Sequence, residues 1–121
     1  MMKQSLLLLF GVLLLGLSST AFAQPIREFD LPANGSNYWI ETLSAGDYYI
    51  KADPSVVLFP NTAMTKWTCR ENGQATTIFA DIPIYKPTPY DYYFTIPTDG
   101  DYRFDGRSLT NDNTRTNLFA Q

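Results

Sequence analysis

From residue 24 onward, large apolar residues alternate with polar ones in short runs that turn signals interrupt. The signals are Asn34-Gly35, Ala45-Gly46, Asp53-Pro54, Pro60-Asn61, Asn72-Gly73, Pro87-Thr88-Pro89, Asp99-Gly100 and Asp105-Gly106. The runs between them are strand-sized and rich in Tyr, Phe, Ile, Val, Thr and Trp. None keeps a helical apolar period over the length that a helix needs. The 8 prolines all lie after residue 24 and oppose helices further. An all-β domain is predicted, a sandwich or a small barrel.

Three hairpins are expected from the alternation. Over Lys66 to Phe79, Asn72-Gly73 suits a two-residue type I′ turn, which puts Trp67 opposite Ile78 and Cys69 opposite Thr76 on one face. The other two come from an internal similarity: Tyr38 to Ile50 lies over Tyr92 to Phe104 at an offset of 54 residues, with four identical positions. In each copy a three-residue loop with a left-handed Gly would pair Ile40 with Ile50 and Phe94 with Phe104. Tyr38, Ile40, Tyr48, Ile50, Phe94, Ile96, Tyr102 and Phe104 would then face inward. Trp39, Glu41, Tyr49 and Lys51 in the first copy, and Tyr93, Thr95, Arg103 and Asp105 in the second, would face outward.

The N-terminal residues change the domain boundaries. Lys3 precedes an apolar run of 12 residues, Leu6 to Leu17, and Ala21-Phe22-Ala23 is a small-x-small cleavage signal. This is the layout of a secretory signal peptide (residues 1–23) cut between Ala23 and Gln24, and the run falls short of the roughly 20 residues a membrane-spanning helix needs. Residues 24–121 then form one β-sandwich domain, periplasmic or secreted from a bacterial cell, with no stable membrane insertion. All 12 acidic residues follow Ala23, so the mature chain is more acidic than the formal −3 of the whole, which argues against nucleic acid as a partner. Oligomeric state is not legible in the sequence.

Chemistry is narrowed mainly by what the chain lacks. It has no His, which removes Ser-His-Asp and Cys-His nucleophile systems and the usual zinc sites. Its 1 Cys, Cys69, has no internal disulfide partner and is expected to be a buried, inert thiol. Glu41, Asp47, Asp53 and Asp81 offer no spacing that singles out a pair for glycoside hydrolysis. Asp99, Asp101 and Asp105 cluster near a turn without the spacing of a standard calcium loop. No cofactor, metal or catalytic residue is therefore assigned. Pro83 to Tyr93 reads as a connection between sheets or as an extended segment presented to a partner protein, and Asn34-Gly35-Ser36 reads as a turn that also fits a glycosylation pattern. What remains is a binding surface. Trp39, Tyr49, Tyr93 and Arg103, on the expected outward faces, combine flat apolar rings with polar groups that fix orientation, and sugar rings suit such a surface. The alternatives are that a second sheet covers Trp39 and Tyr49, or that the ligand is a protein.

The segment Tyr93-Phe94-Thr95-Ile96-Pro97-Thr98-Asp99-Gly100-Asp101-Tyr102-Arg103-Phe104 resembles the F-x-I-P-x-D-G-x-Y-x-F hairpin of jelly-roll sugar-binding modules, as found in protective-antigen-type domains and bacterial pre-peptidase C-terminal domains. Ile40 to Ile50 is a looser second instance. The resemblance implies a jelly-roll-like antiparallel sandwich of about seven to nine short strands. No binding residue is transferred by it. The leading expectation is an exported, non-catalytic module that binds carbohydrate. A periplasmic inhibitor or immunity-type protein and a surface adhesin or assembly component are the alternatives.

Overall fold

The computed structural model describes residues 24–53, 63–86 and 91–121. The signal peptide expected over residues 1–23 lies outside the described residues, as do the turn at Pro60-Asn61 and the prolines at 87 and 89. No helix among the described residues is long and apolar enough to cross a membrane. The described chain forms eight strands: β1 (Arg27–Leu31), β2 (Ser36–Leu43), β3 (Gly46–Ala52), β4 (Ala63–Glu71), β5 (Thr77–Lys86), β6 (Tyr92–Ile96), β7 (Gly100–Ser108) and β8 (Thr114–Ala120).

These strands make two antiparallel sheets, sheet A in the order β1-β8-β3-β6 and sheet B in the order β2-β7-β4-β5. The pairs β1·β8, β2·β7, β3·β6 and β4·β5 each join the first remaining strand to the last. The chain is thus one long two-stranded ribbon, closed at the β4–β5 turn and wound so that successive pairs alternate between sheets. That is the jelly-roll arrangement, and the expected sandwich class holds.

The two similar segments are not hairpins. β2 and β3 lie in different sheets, as do β6 and β7, and the copies pair with each other: β2 with β7 and β3 with β6. Each copy is a corner that carries the chain from one sheet to the other. Inward residues on the two arms of a corner meet across the core, so the alternation looks the same as that of a hairpin. Phe94 and Phe104, expected as neighbours within a sheet, instead meet with ring centroids 6.1 Å apart across the sandwich. The shared Gly-Asp-Tyr has a physical role at these corners. Tyr48 donates its hydroxyl to the Ser44 carbonyl at 2.7 Å, and Tyr102 does the same to the Thr98 carbonyl at 2.7 Å. In both, a buried ring anchors the core while its hydroxyl ties back the chain four residues upstream. Gly46 takes φ +153 at the first corner, but Gly100 has no positive φ, so the expected left-handed bulge is absent there.

Burial follows the expected parity in β3, β6 and β7 and departs from it in β2. Tyr38 and Ile40 are about half exposed, whereas Trp39, Glu41 and Leu43 turn inward. Either parity of this strand carries large apolar residues. Turning Trp39 inward sets its ring 4.7 Å from Phe29 and 5.8 Å from Trp67, an aromatic cluster that joins the two sheets. That choice forces Glu41 inward as well. Arg27 of β1 meets it at 2.6 Å from the other sheet, which offsets the cost of burying a carboxylate. A one-residue slip in a strand moves every side chain to the other face, and this is such a slip.

β4 and β5 do form the expected hairpin, in a different register. Trp67 lies opposite Ile82, Cys69 opposite Phe79 and Arg70 opposite Thr77. Three features move it from the simplest pairing. Positive φ occurs at Gly73 (+77) and not at Asn72, the pattern of a type II turn, and the loop extends to Thr76, whose carbonyl accepts the Glu71 amide at 2.9 Å. Farther along, β5 carries one extra residue between the Arg70 and Cys69 rungs and, beyond it, a bulge of one more between the Cys69 and Trp67 rungs. This bulge places Asp81 at φ +57 and its amide on the Thr68 hydroxyl at 3.0 Å.

Candidate functional site

The four residues expected to form one ligand surface fall in three places. Trp39 is inside the sandwich, packed on Phe29 and Trp67, so its expected outward face is corrected. Tyr49 lies on the outer face of sheet A between two neighbours: Phe119 stacks at 4.9 Å with planes 16° apart, and Tyr93 lies at 5.1 Å. With a ring on each side, Tyr49 has little free face for a sugar. Tyr93, on edge strand β6, is 53% exposed, and its hydroxyl donates to Asp91 at 3.0 Å. That hydrogen bond holds the phenol above its usual pKa. Arg103 is on the outer face of sheet B, on the opposite side of the sandwich.

Around Arg103 the structure assembles a groove of about 370 Å³ across all four strands of sheet B. The register fixes its composition. On the outer face, Arg107 stands between Ser36 of β2 and Lys66 of β4; the next rung is Tyr38, Asp105 and Thr68, and the one after it is Ile40, Arg103 and Arg70. Asp81 reaches in from β5. Arg103 binds Asp105 through both carboxylate oxygens at 3.0 and 3.1 Å, and its guanidinium lies 3.9 Å from the centroid of the Tyr38 ring. This combines an ion pair with a cation–π contact on an exposed surface. Tyr38 is 50% exposed.

Asp81 is the organising carboxylate of the other half of the groove. An aspartate at positive φ within a strand is uncommon. Here the bulge aims the side chain over the sheet, 3.6 Å from Arg107 and 4.0 Å from Lys66. Both contacts are long and lie among exposed groups, where ion pairs are weak. Tyr38, Lys66, Asp81 and Arg107 were not singled out in the sequence as ligand residues. The available signal was the run Tyr38-Trp39-Ile40, with large apolar groups on both parities, which left the face of β2 undecided.

The remaining candidates resolve individually. Asp99 accepts the Ala45 amide at 2.8 Å, Asp101 accepts the Thr42 hydroxyl at 2.6 Å, and Asp105 is held by Arg103, so each is engaged by a protein donor. Among the described residues there is no cluster of three or more acidic, Cys or His groups able to hold a metal. Glu41 is bound to Arg27, Asp47 accepts the Thr95 hydroxyl at 2.7 Å, and Asp53 accepts Asn117 at 3.1 Å. These three and Asp81 sit at separate places in the fold. Asn34, the acceptor position of Asn34-Gly35-Ser36, is an exposed turn residue at φ +52. Pro83 is part of β5, an edge strand of sheet B, where a missing amide is tolerated.

Cys69 is fully buried, and burial, with Asp105 adding a smaller effect, pushes its thiol up to about 12 from an ordinary 9.0. Two outcomes are expected. The folded protein at pH 8 leaves the thiol unmodified by a thiol-reactive dye that labels it fully in denaturant. Its stability also falls as pH rises above about 9 toward 12, because the unfolded chain loses this proton first. A Cys69→Ala variant that keeps the whole alkaline loss would show that another group is responsible.

No family model matches the chain, and no curated protein matches it. Solved structures of similar shape include the mitogen of Yersinia pseudotuberculosis, at a TM-score of 0.45 and 14% identity, covering 81% of this chain and 86% of that one. A carbohydrate-binding module, CBM6cm-2, from Cellvibrio mixtus lichenase 5A, solved with cellotriose, is similar at a TM-score of 0.41 and 13% identity, covering 81% and 90%. The C-terminal CBM6 of LamC, a laminarinase from Zobellia galactanivorans, is similar at 0.39 and 12%, covering 77% and 99%.

Proposed function

We propose that the chain is an exported, non-catalytic glycan-binding module whose ligand sits in the groove on the outer face of sheet B. The observation that carries this reading is the half-exposed Tyr38 ring set beside arginine and aspartate side chains in a groove of about 370 Å³. Sugars present apolar C–H faces and dense hydroxyls; an aromatic ring suits the first, and fixed charged donors and acceptors suit the second. Arg103 stays in this site from the sequence reading, Tyr38 takes the place given there to Trp39, and Tyr49 and Tyr93 lie on the other sheet. Both carboxylates of the groove are engaged by cations on the same face. That suits groups that orient a ligand better than an acid and a nucleophile set across a scissile bond.

The test is a glycan array followed by calorimetry, using residues 24–121 purified from the periplasm or medium, where an intact mass starting at Gln24 also reports the proposed cleavage. Tyr38→Ala is expected to weaken binding by roughly three- to tenfold, the range of an aromatic contact worth about 0.5–1.5 kcal/mol. A loss on Tyr93→Ala with none on Tyr38→Ala would move the site to sheet A and overturn the assignment.

A further inference from the structure

We infer that the groove selects a saccharide bearing an anionic group, a carboxylate or a sulfate, and seats that group between Lys66 and Arg107; this rests on the glycan reading above. The starting observation is a pair of like-charged rungs. On the outer face of β4 and β7, Lys66 lies directly opposite Arg107, and two rungs away Arg70 lies directly opposite Arg103. Like charges directly across a strand pair are destabilising, so two such rungs on one face call for a compensating anion. One is half compensated from within, since Arg103 is held through both oxygens of Asp105. The other is not. Asp81 approaches Arg107 only to 3.6 Å and Lys66 only to 4.0 Å, with 63% of its own side chain exposed.

Hydrogen-bond capacity points the same way. Lys and Arg side chains offer only donors, and three of them, Lys66, Arg103 and Arg107, line the groove. Of the acceptors on these rungs, Asp105 is engaged by Arg103 and the Thr68 hydroxyl by the Asp81 amide, while Ser36, Asn37 and Tyr38 line the groove with groups that both donate and accept. A neutral sugar hydroxyl both donates and accepts, whereas a carboxylate or sulfate only accepts, which matches the donor surplus. Charge-assisted bonds to an anion are about twice as strong as neutral ones. The net acidity of the whole chain does not oppose this, because charges beyond roughly 8–10 Å are largely screened at physiological salt. Asp81 then acts as an internal counter-ion that the ligand's anion displaces.

The experiment compares trigalacturonate, its carboxyl-reduced neutral counterpart and a sulfated galactose disaccharide by calorimetry at low and high salt. Binding of trigalacturonate or of the sulfated sugar at least tenfold tighter than the neutral one, weakening with salt, is expected, and the preferred probe identifies the anion. Lys66→Gln and Arg107→Gln are each expected to weaken it by about tenfold or more, since a hydrogen bond to a charged group contributes about 1.5–3 kcal/mol. Asp81→Asn is expected to tighten it several-fold. Asparagine is among the few residues at ease with positive φ, so this variant keeps the bulge and removes only the charge. Equal binding of neutral and acidic probes, or weaker binding on Asp81→Asn, overturns the selectivity and leaves the glycan reading standing. No binding of any of these saccharides overturns the proposal, and no binding to any glycan of the array overturns the glycan reading with it.

Discussion

Gly106→Ala is expected to destabilise the domain by about 3 kcal/mol, the upper part of the usual range for overpacking a core. Gly106 lies on the inward side of β7, and a Cβ built there would come within 2.5 Å of the Trp67 ring. That ring cannot easily withdraw. Trp67 is 1% exposed, its indole N–H donates to the buried Thr65 hydroxyl at 2.8 Å, and Phe29 lies 5.1 Å away on the far sheet. Room must therefore come from β7 itself, which holds Arg103 and Arg107 on the face above. Chemical denaturation checks the magnitude. A Trp67→Leu background gives the cause, because there the same alanine is expected to cost little. Equal losses in both backgrounds would place the cost elsewhere than in the ring.

The other large effect is expected at Phe104, which is fully buried. Its ring lies within 5.4 Å of Phe29, 6.1 Å of Phe94 and 6.4 Å of Phe79, so it touches rings of both sheets. Phe104→Ala removes the centre of that cluster and is expected to cost about 3–5 kcal/mol, a large part of the 5–15 kcal/mol by which domains are stable. With no disulfide to hold the sheets together, such a loss leaves little margin. A drop in melting temperature of only a few degrees would mean that the surrounding rings collapse into the space.

These residues also show how far the sequence could be read. Strands, turns and sandwich class were legible because alternation and Gly or Pro punctuation are local. The inward sets Tyr48/Ile50, Phe94/Ile96 and Tyr102/Phe104 were legible for the same reason. Strand partners were not. Ile40 to Ile50 reads equally well as a hairpin or as a sheet-to-sheet corner, since both put alternate residues on the core side. The face of β2 depended on a residue in another strand, Arg27, which makes an inward Glu41 tolerable. The candidate groove was hidden for a related reason: its members come from four strands and meet only through the register. The outward face of Arg103 was legible from the alternation of its own strand, while Asp81 enters through a bulge that its local sequence does not announce.

The ribbon-like pairing has a consequence for how the molecule comes into being. β8, the last seven residues before Gln121, sits inside sheet A between β1 and β3. Until it arrives, β1 has no partner in its sheet and one side of β3 stays open, so a chain emerging from its N-terminus cannot complete half of its sandwich. Contacts between β1 and β8 are the most distant in sequence among the described strands, which places the fold among slow-folding topologies. Sheet A therefore cannot close before residues 114–120 are in place, whatever the rest of the chain has already formed.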